Sequence, residues 1–364
     1  MAVNHSVTKR FGILTAGGDC PGLNAAIRGV CLAAHDRYGM EIIGITNGFK
    51  GLIDKDVKVL KPQDFSGIIT QGGTILGSSR EKPFDGGATD KDYEATEKVL
   101  AIKKTYSKLK LDCLVILGGN GSNTTGYRLS REGLNIIGLP KTIDNDIFGT
   151  DKTFGFDSAL CIGTEAIDRL STTAQSHNRV MVVELMGNKT GWLALYAGVA
   201  GGADVILIPE IPYDISIIAS HLKKCAKSGK GFSVIAAAEG AMSIDEAKME
   251  KKERKKYRQE SGLSTAARIA CGIEEQTGAE TRATVLGYVQ RGGIPSAADR
   301  ALATSFGVAA AELLASGQYG RMVTLNGNQI GSVDLDVPQG KVKFIPEDHY
   351  MIDTAKAAGS CFGV

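Results

Sequence analysis

The sequence predicts an α/β protein with parallel sheets buried between helices, and three observations predict it. Short apolar runs alternate with helical patterns nearly to the end of the chain. Strands buried on both faces read as such continuous runs. Many of the 46 glycines follow directly after an apolar run, where a strand must turn tightly into a helix. At 364 residues the chain is long enough for two domains, or for one large domain with a second lobe.

In order, Phe11–Thr15 reads as a strand ending in Gly17-Gly18-Asp19, followed by a helix over Asn24–His35. Glu41–Thr46 is a second strand, and Glu94–Leu109 has an amphipathic helical pattern. Cys113–Leu117 is a strand ending in Gly118-Gly119, and Asn135–Leu139 is a strand that Pro140 breaks. Val180–Leu185, Val205–Ile208, Val234–Ala238 and Thr284–Val289 are further strand segments, and Ala298–Ser316 is a long Ala/Leu-rich helix. Met242–Glu260 departs from the pattern, because its strong helix formers carry many charges and few apolar anchors. It reads as a solvated basic helical excursion.

The composition narrows the function classes. Hydrophobic residues make up 43% and charged residues 23%, as in soluble globular proteins. A net charge of +2 argues against a chain built to bind nucleic acid. The seven cysteines show neither CxxC pairs nor metal-ligand spacing with the five histidines, which reads as reduced thiols. No apolar run reaches the roughly 18–20 residues that span a bilayer. Met1–Arg10 is short and polar, without the core of a signal peptide. The expectation is a cytoplasmic protein with no membrane partner.

Ligands of parallel sheets bind at the carboxyl ends of the strands, and the motifs fall there. TAGGDCPG (Thr15–Gly22) joins a strand to a helix, so backbone amides and a helix N-terminus can meet a polyphosphate. QGGTILGSSR (Gln71–Arg80) ends in an arginine able to neutralise a transferring phosphoryl group. GGNGSNTTG (Gly118–Gly126) follows a strand, and its Gly121 carries no side chain to block a nucleotide. Each is also compatible with an ordinary strand–helix turn. MGNKTG (Met186–Gly191) has the wrong spacing for a Walker A loop, and no GxGxxG opens a helix after the first strand. These features argue against P-loop ATPases and Rossmann dehydrogenases.

GLPKTIDNDI (Gly138–Ile147) gathers Lys141, Thr142, Asp144, Asn145 and Asp146 after a strand. Asp144 and Asp146 are two apart, so an extended segment points both carboxylates the same way. Such a pair can supply a general base and a magnesium anchor, and the bland alternative is a solvated acidic loop. Arg179, Glu239, Arg282 and Arg291 add cations and an acid suited to a phosphorylated sugar.

From near the N-terminus to about Gly320 the chain resembles the 6-phosphofructokinases, in their pyrophosphate-like branch. The segments carrying this are GGDCPGLNAAIRG, GGTILGSSR, GGNGS, PKTIDNDI, EAIDRLSTTAQSHNR, the pair Met186-Gly187, AGGADVILIPE, and ETRATVLGYVQRGG with PSAADR. The resemblance implies a two-lobed fold, each lobe a largely parallel sheet between helices. The donor lobe is expected over 1–155 and 290–340. The fructose 6-phosphate lobe is expected over 156–289 and 341–364, with the insert 242–260 as its decoration. The implied reaction transfers a phosphoryl group to the 1-hydroxyl of fructose 6-phosphate in glycolysis.

By this resemblance Asp144 is the catalytic base, aided by Thr142 and Arg80. Gly18, Arg80, Glu81, Gly119, Asn120, Gly121 and Ser122 contact the donor, while Asn120 and Asp146 hold Mg2+. Thr142, Ile143, Asp144, Met186, Gly187, Asn188, Glu239, Arg282 and Tyr288 hold the sugar. Arg179, Arg282 and Arg291 bind its 6-phosphate. Some family arginines reach across from a neighbouring subunit, which implies a homo-oligomer, dimer or tetramer.

Two positions bear on the donor. In pyrophosphate users an aspartate matches Gly121, whose absence here leaves room for ATP. Lys141 matches a lysine of the pyrophosphate enzymes and a glycine of common bacterial ATP enzymes. Gly121 carries more weight if the long lysine swings aside, so ATP is the expected donor and pyrophosphate the alternative. The sequence also admits a non-catalytic sugar-phosphate-binding subunit, or a kinase for another phosphosugar. Asn120 replaces a usual aspartate, Asn188 an arginine and Tyr288 a histidine. Leu32 and Ser171 replace effector-pocket arginines, which implies weak ADP activation and weak phosphoenolpyruvate inhibition.

Overall fold

The computed structural model describes residues 4–86 and 93–364. The chain divides into two compact units, Met1–Ser158 with Arg291–Val342, and Ala159–Gln290 with Lys343–Val364. In chain order the strands are β1 (Arg10–Ala16), β2 (Glu41–Ile45), β3 (Val57–Leu60), β4 (Phe84–Gly86), β5 (Tyr93–Ala95), β6 (Cys113–Gly118), β7 (Ile136–Pro140), β8 (Val180–Leu185), β9 (Val205–Leu207), β10 (Ser233–Ala238), β11 (Thr281–Val285), β12 (Arg321–Asn326) and β13 (Gln329–Asp334).

The first unit holds a seven-stranded sheet in the order β13-β12-β7-β6-β1-β2-β3. Its interior strands are parallel, and both edges are antiparallel: β3 pairs with β2, and β13 with β12. Every residue of β6 and β7 is buried, as the unbroken apolar runs require. Leu14, Ile45, Leu114, Ile116, Ile136 and Met322 belong to one apolar core. The helices Leu23–Tyr38 and Ala297–Ser316 cross at backbone contact. A Cβ on Gly29 would lie 2.7 Å from the Thr304 carbonyl oxygen, and one on Gly307 would lie 2.6 Å from the Val30 nitrogen. Glycine and alanine in both helices permit that approach.

Pro140 is the last residue of β7 rather than the break after it. The ladder to β12 pairs only Ile137 and Gly138 of β7, while Lys141 N–H continues toward β6 by donating to the Gly118 carbonyl at 3.1 Å. The missing proline N–H therefore removes no sheet bond.

The second unit holds a four-stranded parallel sheet in the order β11-β8-β10-β9. β8 and β10 are wholly buried. The strand expected over Thr284–Val289 lies instead at Thr281–Val285. Gly287, at φ 52°, opens a 3-10 turn over Gly287–Arg291 that ends the extended run. The excursion expected over 242–260 is two helices, Ile244–Lys248 and Lys251–Ser261, separated by extended backbone at Met249 and Glu250. The C-terminal segment joins this unit through a bridge between Val205 and Cys361.

Candidate functional site

Three adjacent parallel strands of the first unit end level with one another. Ala16 of β1 pairs with Gly118 of β6, and Gly118 pairs with Pro140 of β7. The turns that follow are therefore neighbours, although more than a hundred residues separate Gly17 from Lys141. Gly17 accepts a hydrogen bond from Ser78 Oγ at 2.6 Å and donates its N–H to the Ser79 carbonyl at 3.0 Å. This ties the loop carrying Arg80 to the first glycine turn. Gly119 caps the helix Asn120–Arg131, whose first turn presents Asn120, Gly121 and Ser122. An open cavity of about 420 Å³ is lined by Gly17, Gly18, Asp19, Thr74, Ser79 and Arg80, among others. That volume suits a small phosphorylated ligand.

Lys141, Thr142, Asp144, Asn145 and Asp146 are all buried, so the segment is not a solvated acidic loop. It is also not extended. Asn145 has φ 52°, a left-handed conformation that asparagine tolerates. Its side-chain oxygen accepts from Thr153 N–H at 3.1 Å. The two-residue alternation invoked for Asp144 and Asp146 therefore does not apply. Thr142 Oγ1 accepts from the Asp144 N–H at 3.1 Å, and the Thr142 carbonyl accepts from Thr153 Oγ1 at 2.7 Å. Ile143 is fully buried, which leaves its backbone as the part able to meet a ligand.

Lys141 does not swing aside: its ammonium donates to the Gly18 carbonyl. Burial lowers its pKa, and Arg291 acts in the same direction, while Cys20, Asp144 and Asp19 oppose them. Burial also pushes the neighbouring Cys20 thiol up to about 12. Gly121 is exposed, and a Cβ placed on it meets nothing within 4 Å. The space that the sequence assigns to a nucleotide is thus open despite the fixed lysine. Asn120 Nδ2 donates to the Asp146 carbonyl at 3.3 Å, and Asn120 Oδ1 is buried with no hydrogen-bond partner among the described residues.

Two residues of the donor and sugar sets have other engagements. Glu81 pairs with Lys98 at 2.7 Å. Arg291 belongs to the first unit and donates to the Asp19 carbonyl at 3.1 Å. A Cβ on Gly18 would lie 2.8 Å from the Arg291 guanidinium, so a side chain there would make the arginine shift.

The remaining residues expected to meet the sugar lie in the second unit: Met186, Gly187, Asn188, Glu239 and Tyr288 follow the carboxyl ends of β8, β10 and β11, whereas Arg179 and Arg282 lie at the amino ends of β8 and β11. Glu239 follows β10, and its N–H donates to the Leu185 carbonyl at 2.8 Å. Glu239 Oε1 accepts the N–H of Asn188 at 2.7 Å and of Gly187 at 3.3 Å. Met186 N–H donates to Gln290 Oε1 at 2.8 Å. Met186, Gly187, Asn188 and Glu239 are thus one cluster. Arg179 and Arg282 form a second one around Glu280, at 2.7 Å and 2.5 Å. The hydrogen bond from Arg179, followed by both cationic charges, holds the Glu280 carboxyl below its ordinary pKa. Tyr288 is 74% exposed and touches neither cluster's hydrogen bonds.

Sequence reading missed Asn24. It is buried on the first helix, donates to the Gln71 carbonyl at 3.1 Å and accepts from Ile75 N–H at 2.8 Å. It thereby fixes the loop leading to Arg80. The available signal was an amide on the apolar side of a helix N-terminus.

The phosphofructokinase family model matches residues 10–314. An ATP-dependent 6-phosphofructokinase of Spirochaeta thermophila is 60% identical over 363 residues, covering 99% of each chain. ATP-dependent 6-phosphofructokinase 3 of Bacteroides thetaiotaomicron is 50% identical, over 97% of this chain and 100% of its own. The crystal structure of a pyrophosphate-dependent phosphofructokinase from Marinobacter aquaeolei superposes with a TM-score of 0.79 at 24% identity. It covers 97% of this chain and 88% of that one, and bears on the fold alone. With its glycine turns, its buried KTIDND segment and these likenesses over nearly its whole length, the chain belongs to the phosphofructokinase family.

Proposed function

We propose that the chain transfers the γ-phosphoryl group of ATP to the 1-hydroxyl of fructose 6-phosphate, giving fructose 1,6-bisphosphate. The observation that carries ATP as donor is Gly121, which stays unobstructed although Lys141 is held to the Gly18 carbonyl, in a chain whose relatives are named for ATP. Phosphoryl transfer needs alignment and charge neutralisation more than covalent help. Asp144 takes the proton of the attacking hydroxyl, and Thr142, bonded to the Asp144 backbone, helps align the acceptor. Arg80, with Gly18 and the N-terminal turn Asn120–Ser122, meets the polyphosphate.

Mg2+ fits the residues present. Asn120 Oδ1 is a buried oxygen without a hydrogen-bond partner among the described residues, and Asp146 supplies a carboxylate on the adjacent segment. An oxygen-only set with few protein ligands suits an ion that keeps several waters. When bound, it neutralises part of the donor's charge.

Glu239, Met186, Gly187 and Asn188 hold the sugar, and Arg179, Arg282 and Arg291 its 6-phosphate. In this reading Tyr288 contributes its hydroxyl. The chain works as a homo-oligomer. Val285, Tyr288 and Val289, at or after the edge strand β11, are 51%, 74% and 62% exposed, and this exposed apolar edge is what supports the reading that a second copy covers them. A cytoplasmic location accords with seven free cysteines. The test is turnover of fructose 6-phosphate with ATP and with pyrophosphate, each with Mg2+. Activity with pyrophosphate and none with ATP refutes the donor, and saturable sugar binding without turnover on either refutes the kinase.

A further inference from the structure

The helix Lys251–Ser261 has no fully buried residue, and Lys251, Lys252, Lys255 and Lys256 face solvent. Arg254 and Arg258 do not. They lie four apart and so share one helix face. Arg258 Nε donates to Glu246 Oε1 at 2.8 Å, and its Nη2 donates to the Ala241 carbonyl at 2.7 Å. Arg254 Nη1 reaches the Glu246 carbonyl at 3.1 Å. Glu246 is buried, and Arg268 approaches the same Oε1 at 3.4 Å.

These bonds converge on the segment Glu239–Ala241. Arg258 holds its end through the Ala241 carbonyl. Arg268 Nη2 donates to Thr265 Oγ1 at 3.1 Å, which in turn donates to the Glu239 carbonyl at 2.8 Å. Between them, a Cβ on Gly240 would stand 2.4 Å from the Asn188 carbonyl oxygen, so the segment is already packed tightly on the loop carrying Asn188. The Glu239 carboxylate then caps Gly187 and Asn188. We propose that Arg258, through Glu246 and the Ala241 carbonyl, is a positioning residue for the Glu239 loop and thereby sets the affinity for the sugar. This rests on the reading that Glu239 holds fructose 6-phosphate. The basic insert is then part of the sugar site's support.

Removing Arg258 leaves a buried carbonyl unpaired and Glu246 with one weaker cation. The loop loses its fixed position, and binding common to ground state and transition state falls, which raises KM without lowering kcat. The experiment compares R258A, R258K, E246Q, E239A and the double variant R258A/E239A by steady-state kinetics in each substrate. R258A is expected to raise the fructose 6-phosphate KM about tenfold, with kcat and the ATP KM within about twofold. R258K and E246Q are expected to shift the same KM by less, and they decide the matter by the same split if R258A does not fold. The double variant is expected to be no worse than E239A, because both changes act through one loop. A wild-type KM in E239A overturns the sugar-site reading and this inference with it. A raised KM in E239A alone, additivity in the double variant, or a loss confined to kcat overturns this inference and leaves the sugar-site reading standing.

Discussion

Replacing Gly121 with aspartate is expected to disable ATP while leaving the fold intact. Gly121 is the second residue of the helix Asn120–Arg131, and a Cβ there meets nothing within 4 Å. Its φ lies outside the left-handed region, so a side chain adds no backbone strain. Replacing a helical glycine with aspartate, itself a weak helix former, gains only a few tenths of a kcal/mol or so. An acid in the first turn gains a further 0.3–1 kcal/mol or so from the helix dipole. Stability should hold or rise slightly. The cost falls on the donor, because two like charges about 5 Å apart at an effective dielectric near 20 repel by about 3 kcal/mol. At about 1.4 kcal/mol per decade this is roughly a hundredfold, and screening at an exposed position brings it to about ten- to hundredfold at most salt concentrations. The assay is kcat/KM for ATP and for pyrophosphate at saturating sugar, alongside a thermal melt. A folded aspartate variant that keeps ATP kcat/KM within about threefold refutes the reasoning. Gly121→Ala separates charge from volume and should remain near wild type. An equal loss in the alanine variant would show that room, and not charge, governs the site.

Asp144→Asn is expected to lower kcat by about 10²–10⁴-fold with the sugar KM little changed, as for a lost general base, and near-wild-type turnover removes Asp144 from that role. Gly307→Val forces a Cβ against the Val30 nitrogen at 2.6 Å and the Ala26 carbonyl oxygen at 2.7 Å. It should cost at least roughly 1–3 kcal/mol, read as a lower urea midpoint. His349 accepts the Met351 N–H on Nδ1 and has its pKa lowered by burial. The unfolded chain therefore binds more protons between the folded pKa and the ordinary value, and stability falls as the pH drops through that window. His349→Asn keeps a cap without titrating in that window, so its loss of Tm from about pH 8 to about pH 5 should be smaller. An equal loss counts against His349.

The glycine turns were legible because strand ends and phosphate chemistry both demand small residues at the same places. The continuous apolar runs of β6 and β8 located those strands within a residue of their observed bounds. What the residues alone did not reveal depends on pairing or on single torsions. Nothing in the alternation of Asp144 and Asp146 announces the left-handed Asn145 between them. The helix Phe156–His177 was legible only at its end, where SHNR reads as a helix–strand junction, because Gly163 and the run Ser171-Thr172-Thr173 are weak helix formers and tertiary packing decides their state. The hairpin of β12 and β13 did carry a signal, Gly327-Asn328 between two strand-like runs, that went unread. Lys141 was legible as the match to a lysine of the pyrophosphate enzymes, but its bond to the Gly18 carbonyl follows only from the level ends of β1, β6 and β7. Likewise Arg254 and Arg258 look like two more charges of a solvated helix until Glu246 is seen beneath them.

Glu280 gives the arginine pair of the second unit a property that neither arginine has alone. Its carboxylate already offsets one of the two positive charges of Arg179 and Arg282. A sugar phosphate arriving there exchanges one anion for another, and its affinity is the difference between two associations. Added salt weakens both, because all three groups are at least partly exposed. Affinity at such a site should therefore fall less steeply with ionic strength than at an unpaired arginine pair, and it should favour a dianion, which displaces a carboxylate more readily than a monoanion does. Substituting Glu280 by glutamine would turn exchange into simple capture, with tighter and less discriminating anion binding and a steeper dependence on salt.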